Sequence, residues 1–181
     1  AHTRPYRGMK LEDIEILHAL HEWKVEADYS SAIRLLEPFV RQLEQKEDSL
    51  ANRNKYYRPL SYLKEKLLLW EIKQQVDSVN VGDSVRPYLK KDMLEGVYCD
   101  DARRTYYWEG NQMINTLIAY RIIKNDPSLC KLKENMQLYI LRTKERGWNT
   151  YQASSAVATV LTDLLAGSGG MSGTSVSVSG K

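Results

Sequence analysis

The chain has 181 residues, a formal net charge of +3, 43% hydrophobic residues and 27% charged residues, which is ordinary for a globular protein. A chain of this length builds one sizeable core more readily than two independent domains, and its small, dispersed charge argues against a nucleic-acid partner. It contains no apolar run near the roughly 18 residues of a membrane span, and no apolar segment typical of a signal peptide follows its first residues.

The first two predicted elements are helices. Residues 11–26 carry apolar side chains at helical spacing and predict the first helix. Ser31 is predicted to cap the second helix, and Pro38, which lies inside its apolar pattern, is predicted to kink or restart it. The polar residues 46–58 are predicted to form a loop or a frayed helix end.

The middle of the chain predicts two further helices and a long connection. Residues 59–76 form the third predicted helix, and residues 84–94 form a shorter fourth one after a linker. Residues 96–110 follow as a connection rich in aromatic and acidic residues. Loops of this length are either functional or pack over a core, so this segment is where a site is expected.

The last three predicted helices have the clearest boundaries. Residues 111–124 form one helix, and Asp126 followed by proline is an N-cap signal for the next, over residues 128–146. Gly147 ends that helix. The final helix, residues 153–165, has a wide apolar stripe, which predicts a buried helix of an inner layer.

The composition changes abruptly after the last helix. Residues 1–166 are predicted to form a helical-hairpin domain, and residues 167–181 a flexible Gly/Ser linker that leads into a strand. Residues 174–179 alternate polar and apolar side chains with the period of a half-buried strand. A single strand is not stable alone, so it is expected to belong to a following β domain.

A repeated pattern links two of the C-terminal segments. Trp108 and Trp148 lie 40 residues apart, and each is followed four residues later by a glutamine, Gln112 or Gln152, and then by a predicted helix. A period of this length is typical of stacked helical hairpins, in which one unit cannot bury its apolar face alone. The sequence therefore predicts an all-α fold of about seven helices, stacked as part of an α/α-toroid, with each indole closing the turn before an inner helix.

Residues 106–165 resemble the closing helical hairpins of the thioester-containing domain of alpha-2-macroglobulin-like proteins, particularly the large bacterial cell-envelope members. The resemblance is carried by Tyr107 and Trp108, by the helix from Asn115, and by Gly147-Trp148-Asn149-Thr150 leading into the final helix. In that family a similar turn enters the last inner helix and a linker leads on to a β-sandwich. The resemblance implies a scaffold role for Trp108, Gln112, Trp148, Gln152, Tyr106 and Tyr107.

The chain departs from that family at its defining chemistry. The family forms a thioester within a Cys-Gly-Glu-Gln motif, whereas Cys99 is followed here by two aspartates and Cys130 by lysine and leucine. Neither cysteine can form the thioester, so covalent trapping is not expected. Two cysteines also provide neither a disulfide framework nor a zinc set, and two unlinked thiols are the expected state.

Two groups of residues are candidates for other chemistry. Asp100, Asp101 and Glu109 are the acids that an α/α-toroid enzyme would place on such a loop for work on a glycan or an isoprenoid, and the alternative is a solvated, salt-bridged loop. His18 and His21 lie on one helix face, but a metal site needs a third ligand that the sequence does not offer. Ordinary interface histidines are therefore predicted, with no metal and no cofactor.

The sequence thus leads to a non-catalytic scaffold and interaction domain of an alpha-2-macroglobulin-like protease-trapping protein, placed outside the cytoplasm. Its expected partners are neighbouring domains of a larger protein and a protease, with no nucleic acid and no direct membrane span. A toroid enzyme is the alternative, and a plain helical-repeat binding module is a third. An enzyme should place acidic residues in an aromatic-lined pocket with one carboxyl pKa raised by burial, whereas a trap component should expose an apolar contact surface.

Overall fold

The computed structural model describes residues 8–103, 112–144, 147 and 150–167. This part of the chain is mostly helical, which confirms the predicted all-α class. The predicted strand at residues 174–179 lies outside the described residues. The α-helices are α1 (Glu12–Glu22), α2 (Tyr29–Arg53), α3 (Leu63–Val76), α4 (Gly82–Val85), α5 (Gln112–Ile123), α6 (Cys130–Thr143), α7 (Thr150–Ala156) and α8 (Thr162–Gly167).

Helix α3 is the centre of the packing. It contacts α1, α2 and α5, and α5 in turn contacts α6 and α7. Three leucines of α3, Leu63, Leu67 and Leu69, are at most 1% exposed, because three neighbouring helices surround the helix on which they lie. None of the helices that the structure describes is long and apolar enough to cross a lipid bilayer.

Helix α2 is longer than predicted and begins at a different cap. The Asp28 side chain, not Ser31, is the N-cap, and it accepts a hydrogen bond from the Ser31 backbone N–H at 3.0 Å. The helix continues through Pro38 to Arg53 and does not restart. The polar end stays helical because Glu47 is buried there and accepts hydrogen bonds from the Tyr57 hydroxyl and the Leu60 backbone N–H. Of the two alternatives predicted for residues 46–58, the loop is wrong for most of the segment, whereas the end of a helix agrees with α2 running to Arg53.

The predicted fourth helix, residues 84–94, was also wrong. After α4 the chain makes one 3-10 turn and then a β-hairpin of β1 (Leu89–Lys91) and β2 (Val97–Cys99), which pair antiparallel. The Asp92 side chain accepts hydrogen bonds from the backbone N–H groups of Leu94 and Gly96, and this local turn competes with a helix. Glycine is required at residue 96, because a Cβ there would lie 2.8 Å from an Asp92 carboxylate oxygen and 3.1 Å from the Tyr139 Cβ.

The C-terminal helices begin and end close to the predicted residues. Asp126 caps the 3-10 turn that leads into α6, as predicted, by accepting a hydrogen bond from the Ser128 backbone N–H at 2.9 Å. Helices α7 and α8 are joined by a π-helical turn. This last run is not buried on all sides: Val160 is 0% exposed, but Leu165 is 73% exposed. It therefore covers the core with one face, and the prediction of a buried inner-layer helix was too strong.

The Tyr120 hydroxyl joins three helices at this end of the core. It accepts a hydrogen bond from the Gln137 side chain of α6 at 2.8 Å and donates one to Asp163 of α8 at 3.0 Å. Tyr120→Phe leaves the buried Gln137 amide without this acceptor, so we expect the free energy of unfolding to fall by about 1 to 2 kcal/mol, measured by urea unfolding. Tyr56→Phe is the control, because Tyr56 is 81% exposed and its change should be near zero. Equal effects of the two substitutions would contradict the bridging role of Tyr120.

Candidate functional site

The predicted acidic residues lie directly after β2 but contact different elements. Asp100 accepts hydrogen bonds from the Ala102 backbone N–H at 3.1 Å and from the Lys90 ammonium of β1 at 3.4 Å. Asp101 accepts one from the Ser61 hydroxyl, just before α3, at 2.8 Å. Glu109, the third predicted acid, lies outside the described residues. The two aspartates are thus engaged with β1 and with the start of α3.

The two glutamines of the predicted repeat lie within the described residues, whereas its aromatic residues do not. Tyr106, Tyr107, Trp108 and Trp148 lie outside the described residues, so the repeat remains a prediction. Gln112 begins α5, and its side-chain oxygen accepts a hydrogen bond from the hydroxyl of Tyr139 of α6 at 2.8 Å. The Tyr139 ring stacks on Tyr98 of β2, with 5.2 Å between the ring centroids. Gln112 therefore contributes to the contact of α5, α6 and the hairpin.

Gln152, its predicted counterpart, lies in α7 and is half-buried. Its position in the first turns of a helix that packs on α5 agrees with a place at a helix interface. The scaffold role assigned to it by resemblance stays a prediction.

A buried ionic network that the sequence did not predict connects three helices. Glu71 of α3 accepts two hydrogen bonds from the guanidinium of Arg121 of α5, at 2.6 and 2.7 Å. The Nε2 atom of His18 of α1 lies 2.9 Å from the same carboxylate. Because an ionised carboxylate only accepts, the imidazole donates from Nε2. The side chains of His18 and Glu71 are only 10% and 7% exposed, so the network closes the space between α1, α3 and α5.

The network sets the protonation state of Glu71. Burial by itself raises the pKa of this carboxyl, but the hydrogen bonds and positive charge of Arg121, together with His18, outweigh burial and lower the pKa to about 2. Glu71 is therefore ionised at neutral pH although it is buried. A buried carboxylate in a bidentate pair with arginine is a rigid connection, because the planar guanidinium fixes the orientation of both groups.

The sequence contains one weak sign of this network. In α3 the apolar periodicity assigns an apolar residue to the position four after Leu67, and Glu71 occupies it. Nothing local points to Arg121, 50 residues further along the chain. His18 and His21 were predicted together as ordinary interface histidines, and that prediction named no partner for His18. Among the residues that the structure describes, no group of three or more histidine, cysteine or acidic side chains is arranged to hold a metal ion.

Two surface clefts share His18. One, of about 480 Å³, lies between α1, the start of α2 and α3 and includes His21 and Tyr29 in its lining. The other, of about 420 Å³, lies between α1, α3, α5 and the C-terminal helices and includes Arg121 and Ser155 in its lining. Two members of the ionic network therefore line each cleft, His18 with Glu71 in the first and His18 with Arg121 in the second.

A third cavity has an apolar wall and a partly buried carboxyl group. It measures about 360 Å³, and its lining residues come from the start of α1, from α2 and from the start of α3: Lys10, Leu11, Glu12, Glu15, Phe39, Leu43, Leu60, Ser61, Tyr62 and Glu65. Burial raises the pKa of Glu65, opposed by a hydrogen bond from its own backbone N–H and by the charge of Lys64. Burial also raises the pKa of Tyr62 to about 12. The sequence did not predict this cavity, since its walls come from three separate segments.

The two cysteines differ in exposure. Cys99 is buried in β2, and burial, reinforced by the charges of Asp100 and Asp101, raises its pKa to about 12. Its thiol is therefore protonated at neutral pH and is not a nucleophile. Cys130 is exposed at the start of α6. Both are free thiols, which agrees with the expectation of two unlinked cysteines.

Comparison with known proteins finds no relative of this chain. No protein-family model matches the chain, and no curated protein or solved structure is detectably similar to it.

Proposed function

We propose that this chain is a non-catalytic helical scaffold and interaction domain of an alpha-2-macroglobulin-like protease-trapping protein that works outside the cytoplasm without a covalent thioester. Its partners are neighbouring domains of that protein and the trapped protease. The observation that carries the proposal is the buried network of His18, Glu71 and Arg121, because it makes three helices a single rigid body. A trap that closes around a protease needs domains that move without deforming.

Further polar contacts extend this rigid body to the outer helices. Lys73 of α3 forms an ion pair with Glu37 of α2 at 2.8 Å. On the other side, Lys124, directly after α5, pairs with Asp163 of α8 at 3.3 Å, next to the Tyr120 hydroxyl. Each of these partly exposed pairs contributes little free energy, but together they connect α2, α3, α5 and α8.

Exposed apolar side chains support an interaction role. Ile16 of α1 is 57% exposed, Trp23 at the end of α1 is 76% exposed, and Leu35 of α2 is 53% exposed. At the tip of the hairpin, Met93 is fully exposed and Leu94 is 63% exposed. Single exposed apolar residues are common, but an exposed tryptophan with this much free area is costly in water and favours contact with another domain.

The cysteines support trapping without a covalent bond. Cys99 is buried with a raised pKa, and neither cysteine belongs to a thioester motif. In this proposal the chain contributes shape and contact surface, and no bond to the protease forms.

The test uses the complete protein encoded by the reading frame that contains this chain. An endoprotease is incubated with that protein, and hydrolysis of casein and of a small chromogenic peptide is then measured. Steric trapping predicts that casein hydrolysis is largely lost while peptide hydrolysis persists. Loss of both activities would indicate an ordinary active-site inhibitor, and loss of neither would contradict the proposal. The same reading frame is expected to encode a β-sandwich after Lys181.

A second candidate, an α/α-toroid enzyme acting on a glycan or an isoprenoid, is favoured by one observation. Ser61 lines the cavity that contains Glu65 and donates a hydrogen bond to Asp101. A predicted acid thus lies beside an aromatic-lined cavity that holds a carboxyl group with a raised pKa, which is the arrangement that general acid catalysis needs.

The double substitution Asp100→Asn, Asp101→Asn separates the two candidates. A scaffold should retain steric trapping, because asparagine still accepts the hydrogen bonds of Ser61 and Ala102. An enzyme that uses these acids should lose about 100-fold or more of its turnover of glycan or isoprenoid substrates. Asp83→Asn is the control, since the Asp83 side chain is 94% exposed. Loss of trapping in the double variant alone would contradict the scaffold proposal.

A further inference from the structure

We propose that the cavity between α1, α2 and α3 binds a small aliphatic ammonium compound, with its ammonium group on the Glu65 carboxylate and its alkyl chain against Leu43, Leu60 and Phe39. The cavity of about 360 Å³ lies at the lower end of the range of small-molecule sites. This inference does not rest on the scaffold role, and a failed trapping experiment would leave it unchanged.

The charges around the cavity favour a cation. One positive side chain, Lys10, and three negative ones, Glu12, Glu15 and Glu65, line it. The Lys64 ammonium is paired with Glu15 at 2.5 Å. Because Glu15 is paired with Lys64, the remaining charged lining residues are Lys10, Glu12 and Glu65, and they leave the lining with a net negative charge.

Glu65 is available for a ligand. Within residues 8–103 and the other described segments, no side chain forms a hydrogen bond or ion pair with its carboxylate. Lys64, the adjacent cation, is instead engaged by Glu15. A partly desolvated carboxylate without an ion-pair partner is unfavourable, and burial accordingly raises the pKa of Glu65. A bound ammonium group would replace the lost hydration with charge-assisted hydrogen bonds.

The apolar lining residues favour a ligand in which the ammonium group carries an alkyl chain. Leu11 and Leu43 are partly buried, and Phe39 and Tyr62 are buried, so the cavity exposes hydrocarbon and ring surface beside the carboxylate. Each methylene group that moves from water onto such a surface contributes about 0.8 kcal/mol when fully buried. A short alkylammonium ion therefore matches both parts of the cavity.

The experiment titrates the 181-residue chain with n-hexylammonium, n-hexanol and n-hexanoate by isothermal titration calorimetry. We expect n-hexylammonium to bind at least about tenfold more tightly than the other two probes. Glu65→Gln should weaken its binding by about tenfold, while the control Glu95→Gln, at an exposed hairpin residue, should change it by less than about twofold. Equal binding of n-hexanol, or unchanged binding to Glu65→Gln, would overturn the proposal.

The wild-type chain supplies an independent measurement. The ammonium group favours the ionised form of Glu65, so binding should release protons when the pH lies near the pKa of this carboxyl, and affinity should fall as the pH is lowered through it. Proton release is obtained by repeating the titration in buffers of different ionisation enthalpy. Binding without proton release and without pH dependence would place the ligand elsewhere on the chain and overturn the assignment to Glu65.

Discussion

Glu71→Gln is expected to lower the free energy of unfolding by about 3 kcal/mol, measured by urea unfolding at neutral pH. The glutamine keeps the shape of the side chain but removes the negative charge that the largely buried guanidinium of Arg121 pairs with between α3 and α5. Removing one partner of a buried ion pair costs about 3 to 5 kcal/mol. The low end of this range applies here because the Arg121 side chain is still 20% exposed.

Two controls separate this effect from a general loss of charge. Glu37→Gln breaks the pair with Lys73, whose side chain is 31% exposed, and should cost at most about 1 kcal/mol. Adding Arg121→Met to Glu71→Gln removes the buried guanidinium that has lost its carboxylate and should recover part of the loss. If Glu71→Gln cost no more than Glu37→Gln, the network would not be the element that fixes α1, α3 and α5.

The pH dependence of the free energy of unfolding is a second test of the same network. The pKa of Glu71 is about 2 in the folded chain and 4.5 as the ordinary value. Because the folded value is the lower one, the contribution of Glu71 to stability is complete above 4.5 and is lost as the pH falls from 4.5 towards 2. The difference in stability between wild type and Glu71→Gln should therefore shrink over this interval. A difference that stayed constant down to pH 2 would contradict the assigned pKa.

The sequence predicted helices well where local signals and tertiary packing agree. The span of α5 and the Asp126 cap follow from apolar spacing and from a side chain that bonds its own backbone. The hairpin was missed because its turn depends on Asp92 and Gly96, and Gly96 is explained by the closeness of Tyr139, a residue of another element. The length of α2 was missed for a similar reason, since Glu47 binds groups of a later segment.

The sites were less predictable than the helices because they join segments that are far apart in the chain. Glu71 and Arg121 are separated by 50 residues, and the cavity of Glu65 combines three segments. The acidic pair Asp100 and Asp101 stands out in the sequence, yet its carboxylates are engaged in hydrogen bonds with Lys90, Ser61 and the backbone. A charged residue at an apolar helical position was the better indicator of a buried network than a run of charged residues in a loop.

Leu67→Ala is expected to lower the free energy of unfolding by about 3 kcal/mol, because Leu67 is 0% exposed and the cavity left by its side chain lies between helices that cannot collapse onto it. Leu67 precedes Glu71 by one helical turn, so both lie on the face of α3 that packs into the core. Leu35→Ala on α2 removes the same atoms from a side chain that is 53% exposed, and should cost at most about 0.5 kcal/mol.

Amide hydrogen exchange of Leu67→Ala distinguishes a central α3 from a peripheral one. If α3 is the helix around which α1, α2 and α5 pack, the most protected amides of all four helices should lose protection together, because they open only on global unfolding. Loss of protection confined to α3 would mean that the other helices form a separate core, and the rigid body proposed for the scaffold would then not exist. Combining Leu67→Ala with Glu71→Gln should give a loss different from the sum of the two, since neighbouring side chains on one face share their surroundings.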